Sequence, residues 1–471
     1  MTLFSRTALV IAVAAATATL AACAVGPEYQ RPSAAAPAAF KEAPQAEAGW
    51  FPAAPADALD RGAWWQLFGD AELNTLLPQV EVSNQNVAAA VAAYAQARAL
   101  VDQQRATLFP SVDATGGATR SGGRGSTTAG GNRFQAGVTA SWAPDIWGGL
   151  RRGVEGAQAS AQASAADLAA ARLSAQGELA TNYFALRSTD AQIALTRASV
   201  EGYERSLKIT QDRYAAAIAA KTDVLQAQSQ LDSARASLST LQSQRAQLEH
   251  AIAVLIGKAP ADFSLPAATW TSSVPAVPLA LPSELLQRRP DIAAAERDVA
   301  AANAQIGVQR SAYFPSLSLS GSIGQSASRV ADLFGASTSL WSLGVSVAQT
   351  VFDAGATRAR VAGAEAARDA AVARYRQTVL SAFQTVEDQL AALHYLGEQA
   401  GLRASASAAA DLIEQQQLNR YKQGLVAYTD VVTAQVAAQN ARSTLTQLAA
   451  SRQAAAIALI QALGGGWKQG D

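Results

Sequence analysis

The chain of 471 residues carries 37 basic and 37 acidic side chains, and only 16% of it is charged. Such a balance gives no electrostatic case for nucleic acid. Two histidines far apart, His250 and His394, and one cysteine cannot form a metal-ligand cluster at recognisable spacing, so each histidine reads as a surface or packing residue. No GxSxG, GxxxxGK[ST] or HExxH occurs; no catalytic residue, metal or cofactor is assigned, and the chain is not read as an enzyme.

At the start, Arg6 precedes an uncharged apolar run from Ala8 to Leu20, which is shorter than the ~20 residues a membrane-spanning helix needs. It reads as a secretory signal peptide over 1–22. Leu20-Ala21-Ala22-Cys23 resembles the bacterial lipobox, in which cleavage exposes Cys23 for acylation on its thiol and amine. Several acyl chains exceed the two-signal threshold for stable anchoring. The plainer alternative is a cysteine that merely ends a signal peptide, and either way a lone thiol forms no internal disulfide. The segment 23–72 follows as a lipidated N-terminal piece.

Beyond it the chain repeats itself. "ATLFPSVDATG" returns as "SAYFPSLSLSG", with Phe314 lying 205 positions after Phe109. "QDRYAAAIAAKTDVLQAQ" returns as "LNRYKQGLVAYTDVVTAQ", with Arg420 lying 207 positions after Arg213. The spacing predicts a tandem duplication, one repeat over 73–258 and a second over 284–471, joined by a proline-rich linker at 259–283.

Each repeat opens on an alanine-rich helical stretch, Leu73 to Leu108 and Ile292 to Tyr313, that runs into Phe-Pro, where a helix cannot continue. "RRPDI", just before the second, reads as a first-turn proline arrangement rather than a basic binding site. Strand-like alternation follows. Phe134, Ala136, Val138, Ala140 and Trp142 share one face, as do Trp341, Leu343, Val345 and Val347, while small polar residues share the other. Segments of about ten residues alternating in this way carry the signature of a transmembrane β-barrel, although any one of them would also suit a soluble sandwich. The glycine-rich stretch Gly116 to Asn132 lacks a P-loop lysine and reads as a hairpin loop between two strands. Very long helices come next, Gly153 to Ala217 and Arg358 to Tyr421; 65 residues would extend ~95 Å. Each has a second long partner, Asp223 to Ile256 and Asp430 to Leu463. Alanine with glutamine and serine suits close helix packing with the polar residues facing water.

Four strands cannot stand alone in lipid, because the sheet edges would be unsatisfied. Two copies give an eight-stranded barrel that side chains nearly fill; three give twelve strands and room for a lumen.

The motifs "VGPEYQRP" (Val25 to Pro32), "WWQLFGDAELNTLL" (Trp64 to Leu77), "LLQRRPDIAAAE" (Leu285 to Glu296), "AQIGVQRSAYFPSLSLSG" (Ala304 to Gly321) and "VFDAG" (Val351 to Gly355) resemble the NodT-type outer-membrane efflux lipoproteins, relatives of TolC. The resemblance implies a mainly α fold with membrane β: a channel-tunnel whose homotrimer forms a 12-stranded β-barrel and a 12-helix periplasmic α-barrel, with the segment 23–72 in an equatorial region. It implies a passive exit duct for drugs or small toxic compounds in the outer membrane, anchored in lipid at Cys23. The partners it implies are a periplasmic adaptor and an inner-membrane pump of the resistance-nodulation-division type. It also carries over a periplasmic gate lined by Asp223 and Asp430, with Tyr421 as a holding residue. The bland reading of Thr222-Asp223 and Thr429-Asp430 is helix capping. Val426 stands where some relatives carry a gate arginine, and Ala215-Ala216-Ala217 replaces the glycine-containing turn of the second repeat. Two other readings compete with the efflux duct, namely the outer-membrane component of a protein or peptide exporter and a lipid-anchored periplasmic coiled-coil scaffold without a pore.

Overall fold

The computed structural model describes residues 25–34, 36–37, 39–42, 62–122, 131–275 and 289–465. After a 3-10 turn at Trp64–Phe68 come helices α1 (Ala71–Ser83) and α2 (Gln85–Ala106), strands β1 (Ser111–Ser121) and β2 (Gly131–Trp142), and helices α3 (Gly149–Ala215) and α4 (Lys221–Leu255). The second series is α5 (Pro290–Ser311), β3 (Ser316–Ala327), β4 (Ser339–Ala348), α6 (Ala356–Lys422) and α7 (Tyr428–Ala462). The helices recur in pairs of identical length, 22 residues in α2 and α5, 67 in α3 and α6, and 35 in α4 and α7. The chain divides into two compact units, one of residues 1–33, 93–165 and 294–377, the other of 34–92, 166–293 and 378–471. Each unit therefore draws on both repeats.

The first unit holds a four-stranded antiparallel sheet in the order β1-β2-β3-β4. Register puts Val138 opposite Ile323, Trp142 opposite Leu319, Ile323 opposite Trp341 and Leu319 opposite Val345, so one face is continuously apolar. That face is uncovered: Trp341 is 78% exposed and Leu343 80%. Small hydroxyl side chains occupy the other face and pair across strands, Ser111 with Ser141 at 2.8 Å, Ser318 with Ser346 at 2.7 Å and Ser322 with Ser342 at 2.8 Å. On this face Gly137 lies opposite Gly324, and a Cβ on Gly324 would sit 2.9 Å from the Ala136 carbonyl oxygen, so only glycine fits the approach.

The glycine-rich stretch is less of a loop than expected. β1 continues through Gly116 and Gly117 to Ser121, and β2 already begins at Gly131. Glycine disfavours an isolated strand, but here every residue from Gly116 to Ser121 has a partner on β2, and pairing overrides propensity. Where the strands meet the helices, aromatic side chains gather. The Trp142 indole N–H donates to the Leu108 carbonyl at 2.9 Å, that of Trp147 to the Pro315 carbonyl at 2.7 Å, and Trp147 stacks on Phe314 at 4.8 Å. Asp145 and Asp353 each accept backbone N–H bonds from the first turn of the long helix that follows, to Arg151 at 2.8 Å and to Thr357 at 2.7 Å.

"VGPEYQRP" is sewn onto the same unit. The Val25 N–H donates to the Trp147 carbonyl at 3.0 Å, Asn303 donates to the Pro27 carbonyl at 2.9 Å, Arg152 holds Glu28 at 2.6 Å, and the Tyr29 hydroxyl donates to Glu296. Gly26, at φ +113°, passes so close to Gly307 that a Cβ would lie 2.6 Å from its Cα.

In the second unit the helical stretch expected from Leu73 to Leu108 is broken at Asn84. The buried Asn84 side chain accepts from the Asn86 and Val87 N–H groups at 2.9 and 3.1 Å, capping α2, and donates to the Leu255 carbonyl at 2.8 Å. An N-cap must be non-helical, and here ψ is 124°. Trp64 is wholly buried and donates to Gln176 at 3.2 Å. A buried ion cluster, Arg245 to Asp190 at 2.7 Å and Asp190 to Arg187 at 3.4 Å, clamps the carbonyls of Leu265 and Pro266 through its arginines. Pro290 opens α5 as expected, and the preceding Arg289 forks onto Asp291 at 3.0 and 2.7 Å.

The long helices pack through alanine, but not all of their polar residues face water. Between α3 and α7, Ser199 donates to Gln439 at 2.6 Å, and the buried Gln435 donates to the Ser206 hydroxyl at 3.3 Å. Alanine lets the backbones approach closely enough for short polar side chains to bridge them.

Asn84→Ala removes a cap and leaves the Leu255 carbonyl without that donor. It is expected to destabilise the second unit by ~1–3 kcal/mol. The urea midpoint of the detergent-purified protein, followed by far-UV circular dichroism, measures the loss; Asn84→Asp, which keeps the cap and loses only the donor, should fall between.

Candidate gate at the hairpin tips

α3 turns into α4, and α6 into α7, through matched turns. The Ile218 N–H donates to the Arg213 carbonyl at 2.8 Å and the Leu425 N–H to the Arg420 carbonyl at 3.0 Å. The left-handed residue is Gly424 at φ +76° in the second turn and Ala217 at φ +54° in the first. Alanine pays a steric cost there that glycine avoids.

The aspartates are not caps. The N-cap positions are Ala220 and Ala427, neither of which makes a side-chain capping bond, and Asp223 and Asp430 sit three residues later in the first helical turn. Their carboxylates still complement the positive end of the helix. The capping expectation fails because the backbone enters each helix two residues before the threonine of the Thr-Asp pair.

Tyr421, at the end of α6, is only 3% exposed and belongs to a buried cluster with Tyr203, Leu207, Ala227, Leu231, Tyr428 and Val431. Its ring lies 5.1 Å from that of Tyr428, and the Arg213 guanidinium lies 4.8 Å over its face. Such a cation–π contact contributes ~0.5–2 kcal/mol. Arg213 also donates to the Lys422 carbonyl at 3.3 Å, so one side chain from the first hairpin grips both the ring and the helix end of the second. Arg213 lies against the ring face, and the Tyr421 hydroxyl is buried without a hydrogen-bond partner among the described residues. Burial, followed by the negative charge of Asp223, pushes the Tyr421 phenol up, with Arg213 opposing. Burial pushes Tyr428 up to about 12, with Tyr421 the next contributor.

The structure thus brings Asp223 into the field of Tyr421, while Asp430 is exposed and has no side-chain partner among the described residues. Cys23 lies outside the described residues. Arg213 and Tyr428 were not singled out by sequence reasoning, although Arg213 is visible as the first-repeat counterpart of Arg420. The duplication is broken here: Tyr214, the counterpart of Tyr421, is 48% exposed, and Lys221 stands where the second repeat has Tyr428. Among the described residues no three His, Cys, Asp or Glu side chains are grouped to hold a metal, and no helix is long and apolar enough to cross a membrane.

The family model described as outer membrane efflux protein matches twice, over residues 76–258 and 281–465. The chain belongs to the outer membrane efflux protein family. It is 34% identical over 354 residues to the pyoverdine export outer membrane protein OpmQ of Pseudomonas aeruginosa, covering 73% of this chain and 74% of that one. It is 29% identical over 454 residues to the cation efflux system protein CusC of Escherichia coli, covering 96% and 97%. The solved outer-membrane channel OprN superposes with a TM-score of 0.82 at 31% identity, over 94% of this chain and all of that one. The fold is the TolC-like channel-tunnel.

A phenol whose folded value is raised keeps its stabilising contribution below the ordinary tyrosine value of ~10 and loses it as pH rises through the folded value. The tip cluster is therefore expected to hold through pH 9 and to loosen between pH 10 and about 12. Amide hydrogen exchange is too fast at that pH, so absorbance of tyrosinate at 295 nm measures it; Tyr29, Tyr183, Tyr203 and Tyr421 are also pushed up by burial, so Tyr428→Phe should reduce the late-titrating amplitude by one tyrosine rather than abolish it. Separately, Ala217→Gly relieves the left-handed alanine and is expected to stabilise the first tip by up to ~1 kcal/mol, read at pH 7 as slower amide exchange in residues 213–223.

Proposed function

We propose that three copies of this chain assemble into the outer-membrane exit duct of a tripartite efflux pump for drugs or small toxic compounds. The observation that carries the reading is the sheet: four strands with two unpaired edges, an uncovered apolar face and a hydroxyl face. In lipid such a sheet requires closure with other copies. Twelve strands leave a lumen where eight would be filled by side chains. The α3–α4 and α6–α7 hairpins of three copies supply the twelve helices of a periplasmic tunnel. A scaffold without a pore would leave Trp341 and Leu343 in water, which argues against it. The duct is passive, and energy enters through an inner-membrane pump of the resistance-nodulation-division type joined to it by a periplasmic adaptor. Acylated Cys23 ties the start of the chain to the inner leaflet of the outer membrane and assists targeting more than transport.

In this reading the hairpin tips close the tunnel. Asp223 and Asp430, three of each about one axis, form acidic rings that attract cations. Tyr421 is the holding residue, and Arg213 grips it from the neighbouring hairpin of the same chain.

Single-channel conductance in planar bilayers tests both halves. Wild type is expected to give small, cation-selective steps. Asp223→Ala/Asp430→Ala should reduce cation selectivity and Arg213→Ala should raise open probability several-fold, while Arg213→Lys keeps part of the cation–π contact and falls between. A trimer by light scattering without any channel would overturn the duct. Cys23→Ala behind a conventional cleavage site should still yield outer-membrane trimers at reduced amount, measured by fractionation and native electrophoresis; complete loss of assembly would show that the anchor is essential.

A further inference from the structure

The hydroxyl face of the sheet is almost free of charge, and where its two charges lie is informative. Pairing places Asp113, Thr139, Ser322 and Ser342 in one row across the four strands, and Thr115, Gly137, Gly324 and Leu340 in a row further along. Arg133 lies opposite Thr119, near the end of the sheet away from the helices. Among the described strand residues, Asp113 and Arg133 are the two ionisable side chains on this face. Both are exposed, and neither forms an ion pair among the described residues. Arg120, by contrast, pairs with Asn132 on the apolar face, where a long side chain can reach the outer headgroup level.

Thr119 is six residues beyond Asp113, so the two charges are separated by ~20 Å along the strand, or ~15 Å in height at a barrel tilt of ~40°. The Debye length at physiological ionic strength is ~8 Å, so the charges do not neutralise each other but act on a passing solute one after the other. The residues between them offer hydroxyls, glycines, the Gln135 amide and the Leu340 side chain, none of them charged, so they do not choose an ion's sign.

Resting on the reading of this sheet as part of a closed trimeric barrel with its hydroxyl face inward, we infer that Arg133 is a specificity-determining residue. Three copies form a cationic ring at the exit end of the lumen, opposed by an Asp113 ring at the periplasmic end. Anionic solutes gain residence at the exit ring, whereas cationic ones are favoured at the acidic ring and at the tips. The duct is thus polarised along its membrane segment, and its preference for small multivalent anions is set from the outer side.

Inorganic pyrophosphate is the probe, applied to the outer side of oriented single channels so that it reaches Arg133 without passing the tips. Wild type is expected to be blocked at a concentration about fivefold or more below that needed by Arg133→Gln, and Arg133→Lys should restore the block. In a KCl gradient, Asp113→Asn should shift the reversal potential toward anions and leave the outer block in place. Equal block of wild type and Arg133→Gln overturns the inference while leaving the duct intact. The inward face is checked by a charged methanethiosulfonate, which should change the conductance of Ser322→Cys and not of Ile323→Cys. The reverse pattern also overturns the inference alone, and a protein that forms no channel overturns it together with the duct.

Discussion

The constraint on which the rest of the structure depends is the open sheet edge. β1 and β4 each pair on one side only, and in hydrocarbon an unpaired row of N–H and C=O groups costs several kcal/mol per group. A soluble protein can blunt such an edge with water or charge. This sheet also has an uncovered apolar face, so neither solvent nor lipid suits a single copy. The chain is consequently an incomplete piece of a barrel, and closing that barrel requires strands from further copies. The hydroxyl ladders fit the same demand, since serine and glycine are small enough for a concave face and polar enough for a wet one.

Duplication supplies this piece as two like halves, but the two hairpin tips do not keep that symmetry. The helices keep their lengths across the two repeats, whereas the tips diverge. Tyr421 is buried and stacked on Tyr428, while its counterpart Tyr214 is half exposed and Lys221 takes the place of Tyr428. An aromatic pair buried on one hairpin and gripped by Arg213 from the other makes the two hairpins mechanically different. The left-handed alanine in the first turn adds a small local strain that Gly424 spares the second.

Much of this was legible in the residues. Period-2 alternation, Phe-Pro at each helix end and the 205–207-residue repeat placed the strands and long helices to within a few residues. The misses have physical causes. Asn84 interrupts an alanine-rich run because its side chain finds both helix-start amides and the distant Leu255 carbonyl, and the last partner is invisible along the chain. Capping is the bland alternative for Asp223 because Thr-Asp is a common helix start, yet the turn bond from Ile218 to Arg213 moves the entry point to Ala220. Arg213 escaped notice because a cation over an aromatic ring is a tertiary relation, with no local spacing to announce it.

The glutamines show how the two demands on the long helices are reconciled. A tunnel wall must be thin, which favours alanine, but alanine seams alone slide easily because one methyl resembles the next. Buried pairs such as Ser199 with Gln439 and Ser206 with Gln435 add only ~1 kcal/mol each when made, but leave unsatisfied polar groups if one helix shifts past the other. Alanine therefore sets the distance between helices and the polar pairs set their register. That register carries the tip residues, because a slip of one turn between α3 and α7 would separate Ser206 from both Gln435 and the tyrosine cluster beside it. The contact of Arg213 with the tyrosine pair at the tips is thus determined along the helix as much as at its end.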